Sequence, residues 1–336
     1  MAHHFVTIKD IARILNISVS TVSRALRDAY DVKKETREKV LALAAEIKYK
    51  PNFNAIGLAQ RSTHHIGVIL PYITNYYFAT VITGIQEIAY QKDYNITIFL
   101  TNDSPERELA ITRNLAVSSF DGLLVSVSSD SCSHFQDLIN LGLPIVFFDR
   151  VPAEIKTSKV MQDDYNGAFE AVEHLVRQGY SRIAHIAGPR GLGFTQKRLQ
   201  GYRDALAKHQ IPVREDWIIF SGFSQESGEQ DTLQLLKCKP RPDAIFAVND
   251  RKAVGALMAL KKKNIRAGKH VGVVGFTNDP ISTIISPTLT TVAEPAFEVG
   301  KLSCELLIKH IGKKKFYPEE ITLSGKLIIR ESTMRK

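Results

Sequence analysis

From Ile66 to about residue 312, short apolar runs alternate with longer stretches of helical periodicity. HIGVIL (65–70), NITIFL (95–100), GLLVSV (122–127) and PIVFF (144–148) read as buried strands, and SRIAHIA (181–187), DAIFAV (243–248) and HVGVVGF (270–276) repeat the theme. Between them lie helical runs near 78–92, 105–117, 166–178, 196–208, 226–236, 250–263 and 295–312. Strand and helix repeated in this way pair as a parallel sheet covered by helices on both faces. About ten such units are too many for one small sheet, so the spacing predicts two lobes. Ligands of such sheets sit at the carboxyl ends of the strands.

The first sixty residues are different. Thr7 precedes the apolar run Ile8, Ile11, Ala12, Ile14, Leu15, and Asp10 stands three places on, a capping-box pattern that starts a helix at Thr7. Asn16 can end it in a left-handed turn, and Ser18 then caps a second short helix to about Leu26. Two short helices joined by three or four residues form a helix-turn-helix. The second has a narrow apolar stripe of Val22, Ala25 and Leu26, leaving Val19, Ser20, Thr21, Ser23 and Arg24 to point elsewhere. Small hydroxylated side chains allow close approach to a major groove, where Thr21 and Ser23 can bond phosphates. Arg24 can grip a guanine, worth about 1–3 kcal/mol of discrimination. A third helix, about Glu35 to Ile47, closes the core with Val40, Leu43, Ala44 and Ile47.

Charge supports this division. Up to Arg61 there are 11 Lys or Arg against 6 Asp or Glu, so over half of the net +9 sits in the first fifth of the 336 residues. A basic module on a near-neutral body is the electrostatic footprint of nucleic-acid binding. Cys132, Cys238 and Cys304 are odd in number and widely spaced, which fits neither a disulfide framework nor a zinc cluster. No apolar run approaches the ~18 residues of a membrane span. MAHHFVTIKD holds no signal core, so a cytoplasmic location is expected.

The run TIKDIARILNISVSTVSRAL, then TREKV, then YKPN and Leu58, resembles the headpiece of the lactose-repressor (LacI/GalR) family of bacterial transcription regulators. The match is dense over some 60 residues, and similarity continues through the rest of the chain. The resemblance implies an all-α helix-turn-helix headpiece (1–51), a hinge helix or linker (52–63), and an α/β effector-binding and dimerisation domain (64–336). The last would consist of two Rossmann-like lobes of periplasmic-binding-protein type, about 64–163 with 294–323 and about 164–293 with 324–336. DNA contacts are implied at Thr7, Ser18, Val19, Ser20, Thr21, Ser23, Arg24, Asn52, Ala55 and Leu58, the last as a minor-groove wedge. The chain departs from the family pattern at Lys33, Lys48, Ile56, Gly57 and Ala59.

Several residues then fall on strand ends facing the inter-lobe crevice. Tyr76, Tyr77 and Phe78 follow the first strand, Asp149 and Arg150 follow PIVFF, and Arg198 opens the helix after GPRGLGFTQK. Phe223 follows WIIFSG, Asn249 and Asp250 follow DAIFAV, Thr277, Asn278 and Asp279 follow VGVVGF, and Glu294 follows LTTVA. Aromatic faces with Asp, Arg and Asn suit a sugar ring and its hydroxyls. The effector set is Tyr77, Phe78, Asp149, Arg150, Arg198, Phe223, Asn249, Asp279 and Glu294, with Thr277 standing where the family commonly has an aspartate.

GPRGLG (188–193) lacks the features of a P-loop or dinucleotide fingerprint and reads as a loop lining the crevice. His3-His4 and His64-His65 lack companion ligands at metal spacing, and no catalytic constellation, metal or cofactor is expected. The expected function is a repressor acting as a homodimer on a near-palindromic operator and controlled by a small ligand, a saccharide or its derivative, with a non-sugar effector left open because the resemblance implies a pocket that holds purines or amino-acid derivatives elsewhere in the family. A solute-binding protein would need a signal segment and no headpiece. A sugar-converting enzyme would need a paired acid and base, whereas Asp149 adjoins Arg150.

Overall fold

The computed structural model describes residues 7–26, 29–49, 62–115, 119–129, 132–313 and 315–335. The chain divides into two compact units, Met1–Thr63 and His64–Lys336.

In the first unit, α1 (Ile8–Leu15), α2 (Val19–Leu26) and α3 (Lys34–Glu46) surround Ile11, Ala12, Val22, Ala25, Val40 and Ala44. The Asp10 carboxylate accepts from the Thr7 N–H at 2.9 Å and from its hydroxyl at 2.7 Å, fixing the start of α1. Asn16 closes that helix in the left-handed region at φ 51°. The Ser18 hydroxyl accepts from the Thr21 N–H at 3.1 Å and so caps α2. Lys33, at the start of α3, provides no side-chain cap, and Lys48 beyond its end adopts φ 51°. Ile14 does not join the core as its place in the apolar run predicts. It is 57% exposed, because the stripe facing α2 and α3 runs through Ile8, Ile11, Ala12 and Leu15.

The second unit holds two six-stranded sheets. The first contains β1 (His65–Leu70), β2 (Asn95–Leu100), β3 (Gly122–Val125), β4 (Ile145–Phe148) and β5 (Lys159–Gln162). The second contains β6 (Ile183–Ala187), β7 (Ile218–Phe220), β8 (Ala244–Ala247), β9 (Gly272–Thr277) and β10 (Thr290–Ala293). Two late strands complete them, β11 (Glu320–Leu323) in the first and β12 (Lys326–Ile328) in the second. The orders are β11-β5-β4-β3-β1-β2 and β12-β10-β9-β8-β6-β7, all parallel except the β10–β12 pair. Chain direction across the sheet reverses beside β1 and beside β6, and a doubly wound sheet opens a crevice at such a point.

Each sheet is buried on both faces. In the first lobe β1 and β4 send Val68, Leu70, Val146 and Phe148 to one side and Ile69, Ile145 and Phe147 to the other. The Tyr76–Gln91 and Ala296–His310 helices pack so closely that a Cβ on Gly84 would lie 2.1 Å from the Phe297 carbonyl oxygen, and one on Gly300 2.0 Å from that of Val81. Only glycine permits this approach. The chain passes between sheets three times, from Gln162 to Asp164, from Ala293 to Ala296 and from Leu323 to Lys326. The Ser133–Asn140 and Ile281–Ile284 helices and the short strands β5, β11 and β12 have no counterpart among the sequence-predicted elements.

Candidate functional site

Two surfaces carry the chemistry, one in each unit. On the headpiece, α2 buries Val22 and Ala25 and exposes Ser18, Val19, Ser20 and Arg24, with Thr21 and Ser23 half-buried. The Ser18 hydroxyl lies 2.8 Å from those of both Ser20 and Thr21, so the three form one cluster at the helix start. Arg24 Nη1 donates to Asp31 at 2.9 Å, a contact that the sequence does not announce. Tyr30 beside it is fully exposed. Thr7 is committed to the α1 cap. Asn52, Ala55 and Leu58 lie outside the described residues.

In the body, the strand ends of both lobes line one narrow cavity of about 100 Å³. Its wall includes Tyr77, Phe78, Asp149 and Arg150 from the first lobe and Arg198, Phe223, Asn249 and Thr277 from the second, with Glu294 from the link between them. Eight of the nine effector-site residues read from the sequence therefore meet here. Asp279 does not. Its carboxylate accepts from the Ile281 N–H at 3.0 Å, starting a short helix, and its own N–H donates to Asp250 at 2.8 Å. Thr277 takes the place on the wall, at φ 129°, a backbone region costly for a β-branched residue and typical of constrained sites. Tyr76 is exposed, and Asp250 is buried in a network with Thr291 and the Asp279 N–H.

Arg198 organises the floor. Its Nε donates to Asp164 at 2.8 Å, Nη1 to the Val248 carbonyl at 2.5 Å and Nη2 to Glu294 at 2.7 Å. The guanidinium carbon stacks 3.6 Å from the Phe276 ring centroid. Burial opposes the charge, but Asp164 and Glu294 outweigh it and hold the guanidinium charged. Glu294 is itself raised by burial, against the pull of Arg198 and Gln162. Gln162 donates to both Asp164 and Glu294. Two links between the lobes are thus tied through one side chain.

Asp149 ends β4 at φ 59° and accepts from Ser126 at 3.2 Å. Burial, reinforced by Glu294 and Asp164 and opposed by Arg150, raises its carboxyl to about 7. The buried Tyr77 hydroxyl faces Asp149 and is pushed well above the ordinary phenol range by burial and by that carboxyl, and among the described residues it makes no hydrogen bond of normal geometry. Arg150 pairs with Asp103 and lies over the Phe194 and Phe223 rings at 5.5 and 5.7 Å.

Each lobe braces its strand-end loops from behind with a fully buried charge that the sequence does not signal. In the second lobe Lys252 Nζ lies 2.7 Å from the Ala187 carbonyl, the Ser221 hydroxyl and Asp231. In the first, Glu108 accepts from the Ser128 N–H at 2.7 Å and lies 3.2 Å from His134 Nε2. Among the described residues no group of three or more His, Cys, Asp or Glu could hold a metal ion, and no helix is long and apolar enough to cross a membrane.

Comparison with known proteins matches residues 7–52 to the bacterial regulatory proteins of the lacI family and residues 63–331 to the periplasmic binding proteins and sugar binding domain of the LacI family. The chain belongs to the LacI family. It is 30% identical over 329 residues to catabolite control protein A of Priestia megaterium, covering 98% of this chain and 99% of the relative. It is 32% identical over 335 residues to the probable HTH-type transcriptional repressor ExuR of Bacillus subtilis, covering 98% and 99%. The lac repressor dimer bound to operator and the anti-inducer ONPF superposes with a TM-score of 0.85 at 27% identity, covering 98% of this chain and 99% of that one. The CelR–cellobiose complex gives 0.76 at 26% identity, covering 97% and 99%. This LacI-family chain is a DNA-binding transcriptional repressor with a ligand-binding body, and its relatives are regulators rather than enzymes.

Proposed function

We propose that the protein is a homodimeric cytoplasmic repressor that reads a near-palindromic operator through α2 and is controlled by a saccharide held between its lobes. The observation that carries the ligand reading is the cavity wall. Aromatic Tyr77, Phe78 and Phe223, acceptors on Asp149 and Glu294, and a buried Tyr77 hydroxyl that makes no hydrogen bond of normal geometry among the described residues converge on one space. Ligand hydroxyls would satisfy these groups, and an analogue lacking one would leave them unpaired. The acid neighbours in the wall are committed to Arg198 or adjoin Arg150, which suits holding a hydroxyl rather than turning a substrate over.

On DNA, Ser18, Val19, Ser20, Thr21, Ser23 and Arg24 form the reading face, with Thr7 at the start of α1 near phosphate. Arg24 exchanges its Asp31 partner for a guanine edge. The effector shifts the operator-binding equilibrium only as far as it binds one lobe arrangement better than the other, typically about 1–3 kcal/mol.

The test is retention of fragmented genomic DNA on the pure protein at fixed, near-physiological salt, because phosphate contacts make affinity steeply salt-dependent. Recovery of a shared inverted repeat is expected, together with a sugar that changes its retention. Recovery of DNA with no common sequence, with and without a sugar panel, would remove the sequence-specific reading.

A further inference from the structure

The crevice has two chambers that share Arg150 and Arg251. The narrow inner one adds the carboxylates of Asp149 and Glu294, the latter paired with Arg198. These accept hydrogen bonds, so the part of a ligand lying against them is rich in hydroxyls. The mouth is a larger space of about 630 Å³. Its wall holds the hydroxyls of Tyr72 and Thr74 and three charged groups, Asp103, Arg150 and Arg251. Asp103 is already paired with Arg150, which leaves one positive charge uncompensated.

That charge is Arg251. It lines both chambers, is exposed, and forms no ion pair or hydrogen bond among the described residues. Glu226 senses its charge, but the Glu226 carboxylate bonds its own backbone and Ser224. Arg251 and Arg150 approach the same hydroxyl from opposite lobes. Burial and Asp103 push the Tyr72 phenol up, while both arginines pull it down. An uncommitted guanidinium beside hydroxyl donors is the donor set that grips a phosphate or carboxylate through charge-assisted bonds.

We infer that the effector is an anionic saccharide, its hydroxylated ring in the inner chamber and a phosphate or carboxylate at the mouth against Arg251 and Arg150. This rests on the saccharide reading of the same crevice and narrows it.

Matched triplets separate the two. The full-length protein is titrated calorimetrically with glucose, glucose 6-phosphate and glucuronate, with galactose, galactose 6-phosphate and galacturonate, and with ribose and ribose 5-phosphate. In at least one set a charged member binds about tenfold or more tightly than its neutral parent, and the advantage shrinks as salt rises. Arg251→Gln brings the charged-to-neutral ratio close to one, with an unfolding midpoint matching wild type as the control for folding. Preference for the 6-phosphate or for the uronate identifies the anion. Neutral sugars binding as tightly as their charged forms, or Arg251→Gln leaving the ratio intact, overturns the anionic assignment while the saccharide reading stands. Absence of binding by every compound overturns both.

Discussion

The two lobes share a strand order yet stiffen their ligand-facing loops with opposite charges. The first buries an acid, Glu108, which holds the Ser128 N–H of the mouth loop. The second buries a base, Lys252, which gathers the ends of β6 and β7 and the helix bearing Asp231. The first lobe also presents Asp149 and Tyr77 directly to the cavity, whereas Arg198 of the second is almost wholly engaged with its own chain. One lobe thus supplies open acceptors and the other a braced frame, a division of labour that a shared topology does not require.

Substitutions in the frame carry the largest effects. Arg198→Met leaves Asp164 and Glu294 buried without their cation, and a loss of about 3–5 kcal/mol is expected in denaturant unfolding. An unfolding curve within error of wild type would show that the clamp adds nothing to stability. Lys252→Met is expected to cost about 3 kcal/mol by stranding Asp231, and Lys252→Met with Asp231→Ala to recover most of it. If the loops need the ammonium, the double variant stays weak in effector titrations although stable. Equal effector affinity in both variants and wild type would reduce Lys252 to a packing element. Glu108→Gln in the first lobe keeps an acceptor for Ser128, and about 1 kcal/mol is expected. A larger loss than Lys252→Met would reverse the ranking of the lobes.

The acceptor lobe is read best through pH. Asp149 sits at about 7 in the folded chain against an ordinary 3.8, raised mainly by burial. The native state keeps a proton that the unfolded chain has released. Its stabilising contribution is therefore present below about pH 4 and fades as pH rises through 7. Asp250 of the second lobe, also raised to about 7 by burial, acts in the same direction. The unfolding midpoint should fall between pH 5 and 8, and Asp149→Asn should flatten part of that slope. Effector affinity should rise over the same interval, because the ionised carboxylate is the better acceptor. A slope unchanged in Asp149→Asn would assign the effect to Asp250 or elsewhere.

Much of this was legible from residue order alone, because buried parallel strands are uninterrupted apolar runs. HIGVIL forms β1 over its full length, and DAIFAV contains β8. The strands without such a signal are short and polar at the edges. EITL in β11 alternates exposed and half-buried positions, and KVMQ in β5 opens on a buried lysine. Strand ends led to Tyr77, Asp149, Arg150, Phe223 and Asn249 because a doubly wound sheet places its loops there. The same logic placed Asp279 on the wall, where helix capping captured it instead. Arg251 and Lys252 follow Asn249 in the chain, inside the next helix, and one faces the cavity while the other is fully buried. Which way each turns depends on helix packing that adjacent letters do not encode. Arg24 has a partner in Asp31 for the same reason, since seven positions and a turn separate them.

Three short links join the lobes, and Arg198 with Gln162 fastens the first of them to the second. A body hung on one flexible strand can wander in every direction. One hung on three, two of them riveted together, keeps few soft motions. A ligand that prefers one arrangement of the lobes therefore has few relative motions to choose among.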